Sequence, residues 1–213
     1  MVYNEDNEIG HGRQTMERKT YVSSDHTKHA LAEALKELMV QKPLDKITIQ
    51  ELTSRCGMRR QNFYYHFEDV YDLLRWLFQE EAVSLLRQHE GALLWQDGLL
   101  QLFEYLEENR TFCLCALKSV GRDHIRRFVE ADIYAIIHRT VEQIGDEIGI
   151  LKQVTEADAD LITHFYVVAL AGMTESWLIG RIDRTPQELI AFADQILQDH
   201  VRGVKARLSG QEP

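Results

Sequence analysis

The chain has 213 residues, of which 45% are hydrophobic and 27% are charged, and its formal net charge is −10. This is the composition of one or two globular domains, and an odd number of cysteines, three, provides no disulfide framework. The longest apolar run, Phe165 to Met173, is too short to span a membrane and the polar N-terminus lacks a signal-peptide core, so we expect a soluble cytoplasmic protein with no membrane partner.

Helical structure is predicted throughout the chain after its N-terminal arm. There are only 3 Pro and 12 Gly residues, and no segment alternates polar and apolar residues for long enough to predict a strand. Apolar residues instead recur every three or four positions, which is the spacing of one helix face. We therefore expect an all-α fold of about nine helices, without internal repeats.

The first predicted helix begins at Ser24. Residues 1–22 are polar and show no periodicity, so they are predicted to form a flexible N-terminal arm. Ser23 or Ser24 can cap the helix that follows, and Lys42-Pro43 ends it. Its apolar stripe consists of Ala30, Leu31, Ala34, Leu35, Leu38 and Met39.

Two short helical patterns joined by a turn follow, between Thr48 and Phe67. Thr48 is placed to cap the first helix, because its hydroxyl can accept a hydrogen bond from an otherwise unpaired backbone N–H. Gly57 supplies the backbone freedom that a sharp turn needs. Phe63 and Phe67, four residues apart, pin one side of the second helix to the core. This is a helix-turn-helix pattern.

The other side of the second helix carries side chains that suit a DNA groove. Cations, amides and phenols can bond phosphates and base edges. A solvated helical hairpin is the alternative, but such a surface rarely combines two adjacent tyrosines with two arginines. Seven cations against four carboxylates give residues 28–67 a local charge of +3, although the whole chain is acidic. The DNA-binding candidates are Thr48, Arg59, Arg60, Gln61, Asn62, Tyr64, Tyr65 and His66.

Residues 25–78 resemble the N-terminal domain of the TetR family of bacterial transcription regulators. The resemblance rests on Ile47-Thr48-Ile49, on Gly57-Met58, and on Phe63-Tyr64-Tyr65-His66-Phe67, followed by an acidic cap and Leu73-Leu74. It implies that Thr48, Tyr64 and His66 contact phosphates and that the residues after the turn read bases. Among the latter, Arg60 suits guanine and Gln61 suits adenine by their bidentate geometry, and Tyr65 is expected to face base edges with them.

Arg59 departs from the family pattern. The family usually has Ser or Thr at this position, as the N-cap of the recognition helix, and often has a lysine at the position of Val70. Arginine cannot accept a hydrogen bond from a backbone N–H. We therefore expect water or a DNA phosphate to take the place of the cap.

A long helix over residues 69–90 is predicted to link the helix-turn-helix domain, residues 23–68, to a C-terminal domain over residues 91–213. Thr155, with Asp158 three residues later, and Thr185-Pro186 are strong helix-start signals. Further helices are predicted through Leu99 to Leu106, from Arg110 to Lys118, from Arg122 to Glu147, from Thr155 to Gly180 and from Thr185 to Arg202.

The region from Leu99 to His200 resembles the C-terminal domain of the TetR subgroup that includes regulators of dihydroxyacetone-kinase operons. The matching stretches are residues 103–110, 117–123 and 177–180. The resemblance supports the architecture and identifies no effector.

The last two helices carry more apolar residues than one buried stripe needs. We therefore expect a homodimer in which these helices and their counterparts form a four-helix bundle. Polar groups within otherwise apolar helix faces also predict a pocket for an unknown small-molecule or protein effector. The candidate pocket residues are Phe103, Cys113, Tyr134, Tyr166 and Glu175.

Metal and enzyme chemistry are both disfavoured. The conceivable metal ligands are Cys113, Cys115, His124, His138 and His164. The two cysteines point to different faces of a helix. Neither Cys-x-x-Cys nor His-x-x-x-His spacing occurs among these residues. No glycine-rich phosphate loop or Gly-x-Ser-x-Gly elbow is present. We predict no metal, no cofactor and no catalytic residue.

Two classes of function remain. The first is a transcription regulator that binds double-stranded operator DNA and responds to an effector, with a metal-sensing regulator as a variant. The second is a protein-interaction module of the same fold that does not act through DNA. The sequence leaves open the effector, the operator, the direction of regulation, and whether Arg18 and Lys19 of the arm contact DNA.

Overall fold

The computed structural model describes the backbone of residues 9–88, 95–119, 121–147, 149 and 155–208, and the side chains among them except those of residues 9–23 and 121–132. Within these ranges every regular element is helical. The segments α4 (Val70–Phe78) and α5 (Ser84–Gln88) are joined by a π-helical turn, Gln79–Val83, so the described residues form nine continuous helices. The all-α prediction and the expected number of helices are confirmed.

The chain divides into two compact units, residues 1–76 and 77–213, and the boundary lies inside α4. The first unit contains α1 (Ile9–Gln41), a 3-10 turn (Leu44–Lys46), α2 (Ile49–Arg55), α3 (Arg60–Tyr64) and most of α4. The second contains the π-helical turn, α5, α6 (Trp95–Glu108), α7 (Arg110–Ser119), α8 (Gly121–Glu147), α9 (Glu156–Leu178) and α10 (Pro186–Leu208).

The start predicted for the first helix is wrong, because α1 begins at Ile9 and passes through Ser23 and Ser24 without a cap. Serine is tolerated within a helix, and the residues before it include several good helix formers and no proline, so the backbone continues. Residues 1–8 of the predicted arm lie outside the described residues. The predicted end is confirmed, since α1 stops at Gln41, just before Lys42-Pro43.

The core of the first unit holds α2 and α3 in place. These helices have 7 and 5 residues, which is too short for a helix to be stable alone in water. Leu35 and Met39 of α1, Leu52 of α2 and Phe63 of α3 are all fully buried. Burying each such side chain contributes roughly 1.5–3 kcal/mol, so the short helices depend on the apolar stripe of α1 for their position.

Two helix starts predicted in the second unit are confirmed. The Thr155 hydroxyl accepts a hydrogen bond of 3.2 Å from the backbone N–H of Asp158, and the Asp158 side chain completes a capping box. The Thr185 hydroxyl accepts a bond of 3.2 Å from the backbone N–H of Glu188, and α10 begins at Pro186. This last helix extends to Leu208, past the end expected at Arg202.

Aromatic side chains join several helices of the second unit. Phe103 of α6 meets Trp177 of α9 edge to face, with ring centroids 4.9 Å apart. The Trp177 Nε1–H donates a hydrogen bond of 3.0 Å to the carbonyl of Arg184. Phe78 and Phe112 are stacked at 5.4 Å. None of the helices in the described part of the chain has the length and apolar character needed to cross a membrane.

Candidate nucleic-acid interface and interior cavity

A capping box sets the start of α2. The Thr48 hydroxyl accepts a hydrogen bond of 3.3 Å from the backbone N–H of Glu51, and the Glu51 carboxylate accepts bonds from the Thr48 backbone N–H at 2.9 Å and from its hydroxyl at 2.8 Å. Glu51 also accepts a bond from Lys42. The Lys42 ammonium, followed by the two Thr48 groups, lowers the pKa of Glu51 to about 2. The cap is therefore a charged carboxylate held by three donors.

Gly57 forms the turn between α2 and α3. Its φ is +64°, in the left-handed region, and a Cβ at this position would meet nothing within 4 Å. The backbone N–H of Met58 bonds the carbonyl of Thr53 at 2.8 Å, and that of Gly57 bonds the carbonyl of Ser54 at 3.2 Å. This is a Schellman motif. The expected role of Gly57 is confirmed.

Arg59 is the N-cap residue of α3 and forms no side-chain capping bond. Its backbone is extended, with φ −88° and ψ 153°, and its side chain is exposed. The Arg59 side chain thus caps none of the first N–H groups of α3, and the positive end of the helix dipole adds to the arginine charge. This start of the helix suits an anion.

Arg60 lies along its own helix, against Tyr64. Its Nη2 donates a hydrogen bond of 3.3 Å to the Tyr64 hydroxyl, and its guanidinium carbon lies 6.0 Å from the centre of the Tyr64 ring. Gln61 and Asn62 are exposed beside it. The exposed fraction is 53% for Tyr64 and 80% for Tyr65.

The second helix of the helix-turn-helix pattern is shorter than the sequence suggests, because α3 ends at Tyr64. Tyr65 and His66 lie in the turn that follows, while Phe63 and Phe67 remain buried with their ring centroids 5.8 Å apart. Burial, followed by the nearby Lys28 cation, lowers the pKa of His66, and Asp25 acts in the opposite direction. His66 is therefore a neutral imidazole at neutral pH, able to donate a hydrogen bond without adding charge.

The charges of the first unit single out the start of α3. Among residues 24–76, all cations except Arg59 and Arg60 lie within ion-pair distance of a carboxylate. The pairs are Lys28–Asp25, Lys36–Glu33, Lys42–Glu51, Lys46–Asp45, Arg55–Glu37 and Arg75–Asp72. Among the described side chains, no carboxylate lies within ion-pair distance of Arg59 or Arg60, and both arginines are exposed. The uncompensated positive charge of this segment is therefore concentrated at two adjacent positions.

The second unit contains a cavity of about 480 Å³ whose wall is mostly apolar. Three candidate pocket residues, Cys113, Tyr166 and Glu175, line it. The Tyr166 hydroxyl shares a hydrogen bond of 2.7 Å with Nδ1 of His200, and burial raises the pKa of Tyr166. Their role as effector contacts stays a prediction.

Sequence reasoning missed other parts of the wall. Thr140 and Thr174 line the cavity. Thr174 follows the apolar segment Ala169 to Met173, and a polar residue beside such a segment is the signal that identified Tyr166 and Glu175. The π-helical turn contributes Ala82 and Val83. Nothing in the sequence pattern marks this turn, because an added residue in a helix changes the side-chain direction without changing composition.

Phe103 and Tyr134 are not part of the described wall. Phe103 is buried against Trp177. Tyr134 donates a hydrogen bond of 2.6 Å to the Asp160 carboxylate, which raises the pKa of Tyr134, and its ring stacks on His138. Packing on Trp177 explains the position of Phe103, and the hydrogen bond to Asp160 of α9 explains that of Tyr134. Neither side chain requires a ligand as its partner.

The conceivable metal ligands are not gathered together. Within the side chains that the structure describes, no three His, Cys, Asp or Glu residues are arranged to hold a metal ion. Cys113 and Cys115 form no disulfide, and His138 lies 3.3 Å from Asp160 and 3.6 Å from Glu142. The side chain of His124 lies outside the described residues.

Comparison with known proteins gives consistent relatives. Residues 94–199 match a family described as transcriptional regulator C-terminal region. The HTH-type dhaKLM operon transcriptional activator DhaS of Lactococcus lactis subsp. lactis (strain IL1403) is 33% identical over 86 residues, 40% of this chain and 46% of the relative. The chain thus matches less than half the length of that relative. The HTH-type transcriptional repressor BepR of Brucella suis biovar 1 (strain 1330) is 21% identical over 195 residues, 88% of this chain and 87% of the relative.

Solved structures show the same fold. The dihydroxyacetone kinase operon activator DhaS superimposes with a TM-score of 0.63 and 22% identity, over 83% of this chain and 96% of that chain. NalD, the secondary repressor of the MexAB-OprM multidrug efflux pump in Pseudomonas aeruginosa, gives a TM-score of 0.54 and 14% identity, over 86% of this chain and 96% of that chain. The relatives are transcriptional regulators, not enzymes, as the sequence predicts.

Proposed function

Because the chain belongs to the TetR family of transcriptional regulators, we propose that it binds a palindromic DNA operator as a homodimer and that an effector acts through the second unit. The observation that carries the proposal is the pair of exposed, uncompensated cations Arg59 and Arg60 at the start of α3. Cations at a helix start, followed by amides and phenols, suit a phosphate backbone and base edges. The similar proteins include one activator and two repressors, so the proposal covers binding and not the direction of regulation.

The proposed roles divide into positioning and specifying residues. Thr48, Tyr64 and His66 position the unit by bonding phosphates. For this the Thr48 hydroxyl must turn away from Glu51, to which it donates at 2.8 Å. His66 contributes a hydrogen bond rather than a charge, because its pKa is lowered.

The specifying residues follow Arg59. Arg60, Gln61 and Tyr65 face base edges, with Asn62 beside them, and Arg60 must leave the Tyr64 hydroxyl to do so. Arg59 binds a DNA phosphate in the complex. This contact places the phosphate anion at the start of α3, which has no side-chain cap. Arg59 is mobile in the free protein under this proposal.

The proposed dimer uses α9 and α10. The large apolar residues that are exposed in the described part of the second unit all lie on these two helices: Leu161, Ile162, Phe165, Val168 and Phe192. Their exposed fractions run from 36% to 68%. Large apolar side chains left exposed on two helices are typical of a protein interface. A second copy of the chain is the partner, as a symmetric four-helix contact requires.

The proposed effector site is the cavity of the second unit. Its volume, about 480 Å³, lies in the range of roughly 300–1,000 Å³ that is usual for small-molecule sites. An effector that prefers one arrangement of the second unit shifts the population that is competent to bind DNA. Cys113, Tyr166 and Glu175 are the proposed contacts.

Selection from a pool of random duplexes by the purified full chain tests DNA binding without knowledge of the operator. The wild type is expected to enrich a palindromic sequence, and the double variant Arg59→Ala/Arg60→Ala is expected to enrich none. Lys46→Ala is the matched control, because Lys46 is also an exposed cation but lies 3.4 Å from Asp45. Failure of the wild type to enrich any sequence, or equal enrichment by the double variant, contradicts the proposal and favours a protein-interaction module.

A further inference from the structure

The exposed apolar residues of α9 form a single line. Leu161, Phe165, Val168 and Gly172 are spaced four, three and four residues apart, so they lie on one face of the helix. All four are exposed. We call this line the α9 stripe.

The α9 stripe and the cavity wall share two residues. Val168 and Gly172 both line the cavity, although Val168 is 36% exposed and Gly172 is exposed as well. Part of the wall therefore faces solvent on the same side as the stripe. A single chain leaves this edge of an otherwise apolar cavity open.

Gly172 leaves room at that edge. A Cβ built on it would meet no atom within 4 Å. A neighbouring helix can approach the backbone closely where the side chain is a hydrogen. The stripe thus has exposed apolar side chains at its Leu161 end. At its Gly172 end, beside the cavity, the helix backbone is accessible to a neighbouring helix.

Tyr166 connects the wall with the exposed surface. Its ring lines the cavity, and its hydroxyl bonds Nδ1 of the exposed His200 on α10 at 2.7 Å. The His200 ring lies 6.2 Å from that of Phe165, a member of the stripe. A group in the cavity wall and a group on the stripe are therefore in contact through one histidine.

We propose that the effector cavity is completed by a second copy of the chain, whose apolar surface covers the edge at Val168 and Gly172. This inference rests on the proposed function, because it takes the α9 and α10 surface to be the dimer contact. The two cavities of the dimer are then closed only after association. An apolar ligand binds the dimer in preference to the monomer and so strengthens the dimer.

The size of this linkage follows from mass action. A ligand that binds only the completed cavity multiplies the association constant by 1 + [L]/Kd for each cavity. With two cavities and a ligand at ten times its Kd, the dimer tightens by about 100-fold. A ligand that binds a cavity complete within one chain has no such effect.

The experiment uses the neutral apolar fluorophore N-phenyl-1-naphthylamine and the full chain. Sedimentation gives the dimer dissociation constant with and without the probe, and fluorescence gives probe binding over a range of protein concentrations. For the wild type, probe binding is expected to follow the fraction of dimer. A probe concentration ten times its Kd is expected to lower the dimer dissociation constant by about 100-fold.

The double variant Leu161→Ser/Phe192→Ser separates association from the cavity wall. Both residues are exposed, at 68% and 56%, and neither lines the cavity. The variant is expected to dissociate at least tenfold more readily, to lose probe binding where it is monomeric, and to regain wild-type probe affinity where it is dimeric. Glu104→Ser, at an exposed position outside the wall, is the control and is expected to behave as the wild type.

The outcomes distinguish this inference from the proposed dimer. The completed cavity alone is overturned if monomers of the double variant bind the probe with wild-type affinity. It is also overturned if the wild-type dimer does not bind the probe, or if the probe leaves the dimer dissociation constant unchanged. A wild-type chain that stays monomeric at micromolar concentration overturns the proposed dimer and, with it, this inference.

Discussion

Arg60 and Tyr64 form a contact within one helical turn of α3, in which Nη2 of the arginine donates a hydrogen bond of 3.3 Å to the phenol oxygen. The guanidinium also lies 6.0 Å from the ring centre. Arg60 is therefore held along the helix rather than projecting from it. Under the proposed function this contact breaks on DNA binding, and Tyr64 turns its hydroxyl to a phosphate while Arg60 reaches a base.

Arg59 and Arg60 are expected to differ in what their removal costs. Arg60→Ala should cost about 1–3 kcal/mol mainly on the selected duplex, because it removes a base contact. Arg59→Ala should weaken selected and scrambled duplexes alike and lower the salt slope by about one, because it removes a phosphate contact. Binding titrated over salt on both duplexes measures the two effects. Identical behaviour of the two variants would contradict the division of roles.

Tyr64→Phe tests the phosphate role of the phenol. The substitution keeps the ring and removes the hydroxyl, so affinity should fall by roughly 1.5–3 kcal/mol, the usual value of a hydrogen bond to a charged group. The loss should be equal on selected and scrambled duplexes, since a phosphate contact carries no sequence information. Tyr71→Phe, at an exposed tyrosine on α4, is the control. A loss confined to the selected duplex would assign Tyr64 to base reading.

Glu51 should make the first unit less stable in acid. Its pKa is lowered from 4.5 to about 2, chiefly by Lys42 and Thr48, so the folded chain keeps the carboxylate charged where the unfolded chain protonates it. The contribution to the free energy of unfolding is present above pH 4.5 and is lost as the pH falls towards 2. Chemical unfolding of the wild type and Glu51→Gln as a function of pH measures it. Their difference should shrink over this window, and a constant difference would argue against the cap.

Gly57 should be intolerant of a side chain for reasons of backbone conformation alone. Gly57→Ala places an L-residue at φ +64° with no atom within 4 Å of its Cβ, so the expected cost is about 1–2 kcal/mol of conformational strain. Gly203→Ala is the matched control, since Gly203 lies inside α10, also with open space around it. There the same change should stabilise the helix by about 0.5–1 kcal/mol. Amide hydrogen exchange in α2, α3 and α10 measures the change in local stability that each substitution causes. A change in the same direction for both variants would refute the interpretation.

Phe103 should matter for stability and not for ligand binding. Phe103→Leu removes the edge-to-face contact with Trp177, which is worth about 0.5–1.5 kcal/mol beyond apolar burial. Because Phe103 does not line the cavity, the affinity for N-phenyl-1-naphthylamine should be unchanged. Tyr166→Phe, in the wall, is the comparison. A change in probe affinity for the Phe103 variant would indicate that Phe103 belongs to the effector site after all.

Local signals in the sequence determined three helix starts and one turn of this protein. Thr48, Thr155 and Thr185-Pro186 cap their helices as predicted, because a cap depends on backbone N–H groups only two or three residues away. Gly57 forms the expected turn for a similar reason, since its left-handed φ is a property of one residue. The apolar periodicity likewise determined the all-α class, because helical spacing is read over a single turn.

Only the tertiary structure decided which side chains form the two candidate sites. Arg59 and Arg60 stand out because Glu37 and Glu51 neutralise Arg55 and Lys42 over 18 and 9 residues of sequence, and such pairs leave no local pattern. In the same way, Cys113, Tyr166 and Glu175 reach the cavity while Phe103 packs on Trp177. Apolar periodicity predicts which face of a helix is buried. Which neighbouring helix covers that face depends on contacts between residues far apart in the chain. These contacts decide whether a residue packs in the core or lines the cavity.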